Sequence, residues 1–116
     1  MRRVGWIFLL FLAVLPGRGA AEAWQTLVGD EVREALEGNA LDYTSGAHQD
    51  FRASGRTLYH AGRDSWGYWR VQGNQYCSQW PPSDLWACYD LQVSDDGTRL
   101  RFVGASGDVS DGDYTD

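Results

Sequence analysis

Lysine is absent from the 116 residues: all ten basic residues are arginine, set against sixteen acidic ones, for a net charge of −6. Nucleic-acid binding wants a basic footprint, which this chain lacks, so DNA and RNA are not expected partners. Cysteine occurs twice, as Cys77 and Cys88, and histidine twice, as His48 and His60. No apolar run approaches the ~20 residues that carry a helix across a bilayer. Nothing repeats at a period of 20–50 residues, which excludes solenoids and propellers. Also missing are a glycine-rich phosphate loop, a Gly-x-Gly-x-x-Gly fingerprint and a nucleophile elbow. No catalytic residue, cofactor or metal site is therefore assigned, and the chain is read as non-enzymatic.

What is present begins with a leader. Arg2 and Arg3 precede an apolar stretch from Val4 to Leu15, then Pro16, Gly17 and the small-x-small triplet Ala21-Glu22-Ala23. This is the pattern of a secretory signal peptide over residues 1–23, cleaved after Ala23. Cleavage would leave no stable membrane anchor, and an exported protein in the periplasm or medium. Removing Arg2, Arg3, Arg18 and Glu22 takes the net charge from −6 to −8. A charged partner, if there is one, is then expected to be cationic. In an oxidising compartment a lone pair of cysteines reads as a Cys77–Cys88 disulfide.

The remainder reads as one mainly β domain over residues 24–107, with an N-terminal helix over 27–37. Val28, Val32 and Leu36 recur at helical spacing before the stop signal Gly38-Asn39. Thereafter alternating runs and turn signals predict a six- or seven-stranded antiparallel meander curled into a small barrel or sandwich, with the helix closing one end. Strands are expected near 40–44, 48–53, 56–61, 66–72, 75–80, 85–93 and 98–103.

Three hairpins can be registered against one another. A Gly73-Asn74 turn pairs Val71 with Tyr76, Trp69 with Ser78 and Gly67 with Trp80. The Pro81–Asp84 turn pairs Trp80 with Leu85, Gln79 with Trp86 and Cys77 with Cys88. A turn at Ser94–Gly97 pairs Leu91 with Leu100 and Tyr89 with Phe102, and sets Asp90 opposite Arg101. Together these put Trp69, Val71, Tyr76, Trp80, Leu85, Tyr89, Leu91, Val93, Leu100 and Phe102 on one face. A turn at Ser54-Gly55 would pair Phe51 with Leu58 and Gln49 with His60, turning His48 to the opposite face. The two histidines could then share neither a metal nor a proton relay. The acidic residues 108–116 read as a loose, solvated tail without a calcium site.

The blocks Leu-Val-Gly-Asp-Glu-Val-Arg-Glu-Ala-Leu-Glu-Gly-Asn (27–39), Phe-Arg-Ala-Ser-Gly-Arg-Thr-Leu-Tyr (51–59), Gly-Tyr-Trp-Arg-Val (67–71), Tyr-Cys-Ser-Gln-Trp (76–80) and Trp-Ala-Cys-Tyr (86–89) carry a resemblance. The chain resembles a family of small exported proteins of alphaproteobacteria with no assigned activity. The resemblance covers residues 27–103 and implies a compartment and a β fold, not a reaction. The acidic end departs from the family's pattern, so a final strand is expected to be lost there.

For function, the face opposite the aromatic core is the candidate. Tyr68, Gln79 and Trp86 align across three strands with Arg70 one step away, and Tyr, Trp and Arg are over-represented at binding hot spots. The expectation is an exported binding or interaction module for an unknown protein or small ligand. The alternative is a periplasmic inhibitor of a cationic hydrolase such as lysozyme. A small-ligand carrier ranks behind both, because six or seven strands filled with rings leave little room inside.

Overall fold

A computed structural model describes residues 23–115. The proposed signal peptide, apart from Ala23, lies outside the described residues. Within them are nine strands and one short helix: β1 (Trp24–Thr26), α1 (Asp30–Leu36), β2 (Ala40–Tyr43), β3 (His48–Phe51), β4 (Arg56–His60), β5 (Asp64–Gln72), β6 (Gln75–Gln79), β7 (Trp86–Ser94), β8 (Arg99–Gly104) and β9 (Val109–Tyr114). Strands β2 to β9 pair antiparallel in chain order, and β9 returns to pair with β2, closing an eight-stranded up-and-down barrel. Closure removes the free edges that an open sheet would present. Strand β1 is extra, pairing with β7 through Trp24 and Ser94 where β6 has already ended.

The seven strands read from the alternation are all present, and two were missed. One is β1. The other is β9, which occupies the stretch expected to be a loose tail, and a domain boundary at 107 would cut the barrel open. Like-charge repulsion was the reason for expecting disorder. The folded chain relieves it by setting Asp111 beside Arg101, at 2.8 and 2.9 Å, and Asp113 beside Arg99, at 2.7 Å, across the β8–β9 ladder. Trp24 lies over the same arginines, with the Arg101 guanidinium 4.1 Å from its ring.

The helix is also shorter than the expected 27–37. Leu27 donates its amide to the Leu91 carbonyl and so belongs to the β1 side of the sheet, and Val28 is 50% exposed rather than part of the helix's apolar stripe. Gly29, at φ 52°, turns the chain into α1, and its amide is held by the Asn74 side chain at 2.9 Å. Val32 and Leu36 are fully buried, and α1 packs on β5 and β6 over one end of the barrel.

Registers decide which side chains face inward. The hairpin closed by Gly73-Asn74 has the expected pairs Val71–Tyr76 and Trp69–Ser78, and β6–β7 has Gln79–Trp86 and Cys77–Cys88. The cysteines are joined, with Cα atoms 4.0 Å apart. A Cβ on Gly67 would lie 2.5 Å from the Trp80 ring, so glycine is required where that ring enters the barrel. Leu85 does not join the inward set: it precedes β7 in the loop and is 76% exposed.

Two hairpins differ from expectation. In β7–β8 the pairs are Leu91–Phe102 and Val93–Leu100, displaced by two residues along one strand. The cause is a longer turn, in which the Asp96 carboxylate accepts from the Thr98 amide, the Thr98 hydroxyl and the Ser94 hydroxyl. An even displacement preserves the faces, so the core residues stand. Arg101, however, lies opposite Gln92 and Asp111, and Asp90 lies opposite Val103. In β3–β4 the displacement is a single residue. Phe51 pairs with Thr57, and His48 pairs with His60. Gly55 adopts φ 92° in a turn where the Arg52 amide donates to the Arg56 carbonyl, one residue longer than expected. An odd displacement exchanges faces. Thr57 therefore points inward, and the two histidines stand side by side outside.

Candidate ligand-binding cavity

The barrel interior has two halves. Beneath α1, Leu27, Val32, Leu36, Leu41, Phe51, Trp69, Leu91 and Leu100 pack as a closed apolar core. Toward the other end, the connections at 44–47, 61–63, 80–85 and 105–108 ring an open mouth, and below it lies a cavity of about 670 Å³. Eight strands are the number at which a barrel can enclose one small ligand. The expectation that rings would fill the interior rested on too few strands and is corrected by this cavity.

Alternation supplies the lining. Inward positions on β2, β3, β4, β6, β7 and β8 carry Tyr43, Gln49, Tyr59, Tyr76, Ser78, Tyr89 and Phe102, and Trp80 leans in over Gly67. The aromatic rings form an unbroken chain of contacts. Trp80 meets Tyr59 at 6.0 Å, Tyr59 meets Tyr43 at 6.1 Å, and Tyr43 meets Phe102 at 5.9 Å. Phe102 meets Tyr76 at 5.2 Å, and Tyr76 meets Tyr89 at 6.0 Å. These separations are those of favourable tilted and edge-to-face pairs.

Polar groups lie among the rings, and several are tied to one another. The Tyr43 hydroxyl donates to Gln49 Oε1 at 2.6 Å. The Gln49 amide donates to Thr57 Oγ1 at 2.9 Å and to the Tyr76 hydroxyl at 3.2 Å. Trp80 Nε1 donates to Ser78 Oγ at 3.1 Å. Gln49, Thr57 and Ser78 are all buried, so an unmet group there would be costly. Burial holds the Tyr43 and Tyr76 phenols above the ordinary tyrosine value, with the neighbouring tyrosines adding to it. Both stay neutral donors and acceptors across the physiological range.

The lining carries no arginine or histidine, and its charged residues are Asp108 at the mouth and Asp111, whose carboxylate is held by Arg101. Asp108 accepts from the Ser106 hydroxyl at 2.7 Å, and its carboxylate fills the space where Gly104 has no side chain. Arg101 holds the Asp111 carboxyl below the usual aspartate range. Such a cavity suits a neutral or cationic molecule with flat apolar surface and a few hydrogen-bonding groups, and it disfavours anions.

The exterior residues proposed from sequence fall where the registers put them. Tyr68, Gln79 and Trp86 form one row across β5, β6 and β7, with Arg70 in the next row beside the disulfide. They are largely engaged with one another and with their surroundings. The Arg70 guanidinium stacks 3.9 Å from the Trp86 ring and donates to Gln72 at 3.1 Å, and Gln79 donates to the Asp84 carbonyl at 2.9 Å. Arg56 lies 5.6 Å from the Tyr68 ring.

Sequence reasoning missed the interior residues Gln49, Thr57 and Ser78. Their signal was polarity at inward positions, alternating with the core residues Phe51, Trp69 and Tyr76. No protein-family model matches the chain, and no curated protein or solved structure matches it either.

Proposed function

We propose that this chain is an exported, non-enzymatic carrier that holds one small organic molecule inside its barrel. The observation that carries the reading is the cavity of about 670 Å³, within the range of roughly 300–1,000 Å³ typical of small-molecule sites. The ring lining supplies apolar contact, and Tyr43, Gln49, Tyr76 and Ser78 supply orientation. The Asp108 carboxylate at the mouth favours cations over anions. Export rests on the leader pattern, and the Cys77–Cys88 bond is compatible with an oxidising compartment. Membership of the exported alphaproteobacterial family is part of the same proposal.

The test is native mass spectrometry on mature protein purified under gentle conditions, alongside fluorescence titration with neutral, cationic and anionic aromatic probes. Trp80 leans into the cavity and serves as the reporter. The reading expects quenching that saturates with neutral or cationic probes and is lost in Gly67→Leu, which drives a side chain into the Trp80 ring. Absence of any bound mass together with no saturable quenching would overturn it.

A second reading, an interaction module, is favoured by the exterior of β4 and β5. There Trp66 and Tyr68 are exposed and interleaved with arginine. Arg52 and Arg56 each lie 4.7 Å from the Trp66 ring. This strip, continued by Gln79 and Trp86, fits a protein surface. Inhibition of a cationic hydrolase is suggested by the net charge of the whole chain, not by this arginine-bearing strip. Binding to such an enzyme that disappears in Tyr68→Ala and Trp86→Ala, with the cavity probes unaffected, would favour it over the carrier.

A further inference from the structure

On the outer wall just below the mouth, four side chains lie in one cross-strand row: Asp42 on β2, His48 on β3, His60 on β4 and Asp64 on β5. Their inward neighbours Tyr43, Gln49, Tyr59 and Ser65 line the cavity, so the row itself faces solvent. His48 Nδ1 is 2.8 Å from Asp42 Oδ1, and His60 Nδ1 is 2.8 Å from Asp64 Oδ1. The arrangement is symmetrical, with each histidine bound to the carboxylate on its outer side and the two imidazoles adjacent between them.

We propose that His48 and His60 together form a binding site for a divalent transition-metal ion of the zinc type. A carboxylate accepts a hydrogen bond, so each neutral imidazole carries its proton on Nδ1 and keeps the Nε2 lone pair available. On an imidazole, Nδ1 and the Cδ2–Nε2 edge lie on opposite sides of the Cβ–Cγ axis. Turning each Nδ1 outward to its aspartate therefore turns each Nε2 edge toward the other histidine. Directly opposed residues in an antiparallel pair have Cβ atoms about 4.5–5.5 Å apart, which lets two imidazoles converge on one ion. Zinc accepts imidazole nitrogen at about 2.0–2.1 Å.

Asp42 and Asp64 then play the part that carboxylates play behind metal-bound histidines elsewhere: they fix the tautomer and orient the ring. They also make the neighbourhood negative. The next aspartate along the row, Asp113, is engaged by Arg99 at 2.7 Å. Among the described residues no three His, Cys, Asp or Glu groups converge as ligands. The protein thus supplies two nitrogens, and water or a partner's ligand completes the coordination. A bound ion would clip β3 to β4 beside the mouth.

The experiment is isothermal titration of mature protein with zinc chloride at neutral pH, repeated on His48→Gln, His60→Gln, Asp42→Asn and Asp64→Asn, with circular dichroism to check each fold. All four side chains lie on the outer wall and are 43–66% exposed, so the variants are expected to fold. One equivalent of zinc should bind saturably. Either histidine substitution should lower the affinity at least tenfold, and either aspartate substitution by about 10–100-fold. Chemical-shift changes on zinc addition should centre on the His48 and His60 rings. Absence of saturable binding up to millimolar zinc would overturn the proposal, as would binding of equal strength in the wild type and both histidine variants.

Discussion

The two ends of the barrel are built from the same eight strands, yet they solve different problems. Beneath α1 the inward positions are Leu41, Phe51, Trp69, Leu91 and Leu100, sealed by Val32 and Leu36. At the mouth the same alternation delivers Tyr43, Gln49, Tyr59, Tyr76 and Ser78 around open space. The closed end gains stability by burying area, about 1.5–3 kcal/mol for each large apolar side chain. The mouth forgoes part of that gain and keeps its polar groups satisfied through a hydrogen-bonded chain. A barrel of this size can thus be stabilised at one end and left free to bind at the other.

The contrast predicts graded effects. The largest belongs to the closed end: Leu36→Ala should cost about 2–5 kcal/mol, read by urea denaturation, while leaving the affinity of a cavity probe within twofold. A comparable loss of affinity would show that the two ends are not separable. Next is the Cys77–Cys88 bond, which joins neighbouring strands on the wall between the ends. Closing a loop of about 12 residues is worth on the order of 3 kcal/mol in the chain-entropy model. Cys77→Ser should therefore lower the melting midpoint by well over 5 °C.

Gly67→Val touches both ends of the comparison, since a Cβ would meet the Trp80 ring at 2.5 Å and the Gln79 carbonyl at 2.6 Å. Overpacking of this kind costs about 1–3 kcal/mol, and Trp80 emission should shift as its ring is driven aside. Unchanged stability and emission would contradict the packing of Trp80 over Gly67.

The smallest stability effect is at the mouth. Tyr43→Phe removes the donor to Gln49 and should cost only about 1 kcal/mol, while weakening probe binding more than Leu36→Ala does. It should also alter the alkaline limb of stability. Burial raises the Tyr43 pKa above the unfolded value of 10.0. The neutral phenol is therefore favoured by the fold, and stability from this source holds below about pH 10 and falls as pH rises beyond it. Denaturation midpoints measured from pH 8 to 11 should decline less steeply in Tyr43→Phe than in the wild type.

How far the molecule could be read in advance depended on the turns. The Gly73-Asn74 turn is two residues with one favoured geometry, and its ladder, including the approach of Trp80 to Gly67, was legible. The turns at 52–55 and 95–98 were not, because Ser, Asp and Gly permit several loop lengths and the choice rests on hydrogen bonds such as those to Asp96. A two-residue error in the second was harmless to the core. The one-residue error in the first hid both Thr57 inside and the His48–His60 pair outside. The exterior row of Tyr68, Gln79 and Trp86 was legible for the same reason as the disulfide, since both follow from neighbouring short turns.

By itself the sequence determined a mainly β chain, seven of its strands, the cysteine pair and most of the inward face, because strand periodicity and tight turns are local properties. Only the tertiary structure decided that the sheet closes. Residues 109–114 carry charges that read as disorder in isolation, and they become a strand because Arg99 and Arg101 lie opposite Asp113 and Asp111 while β2 offers its free edge. That eighth strand sets the circumference of the barrel. The circumference, a property no local stretch of sequence contains, is what leaves space among the rings.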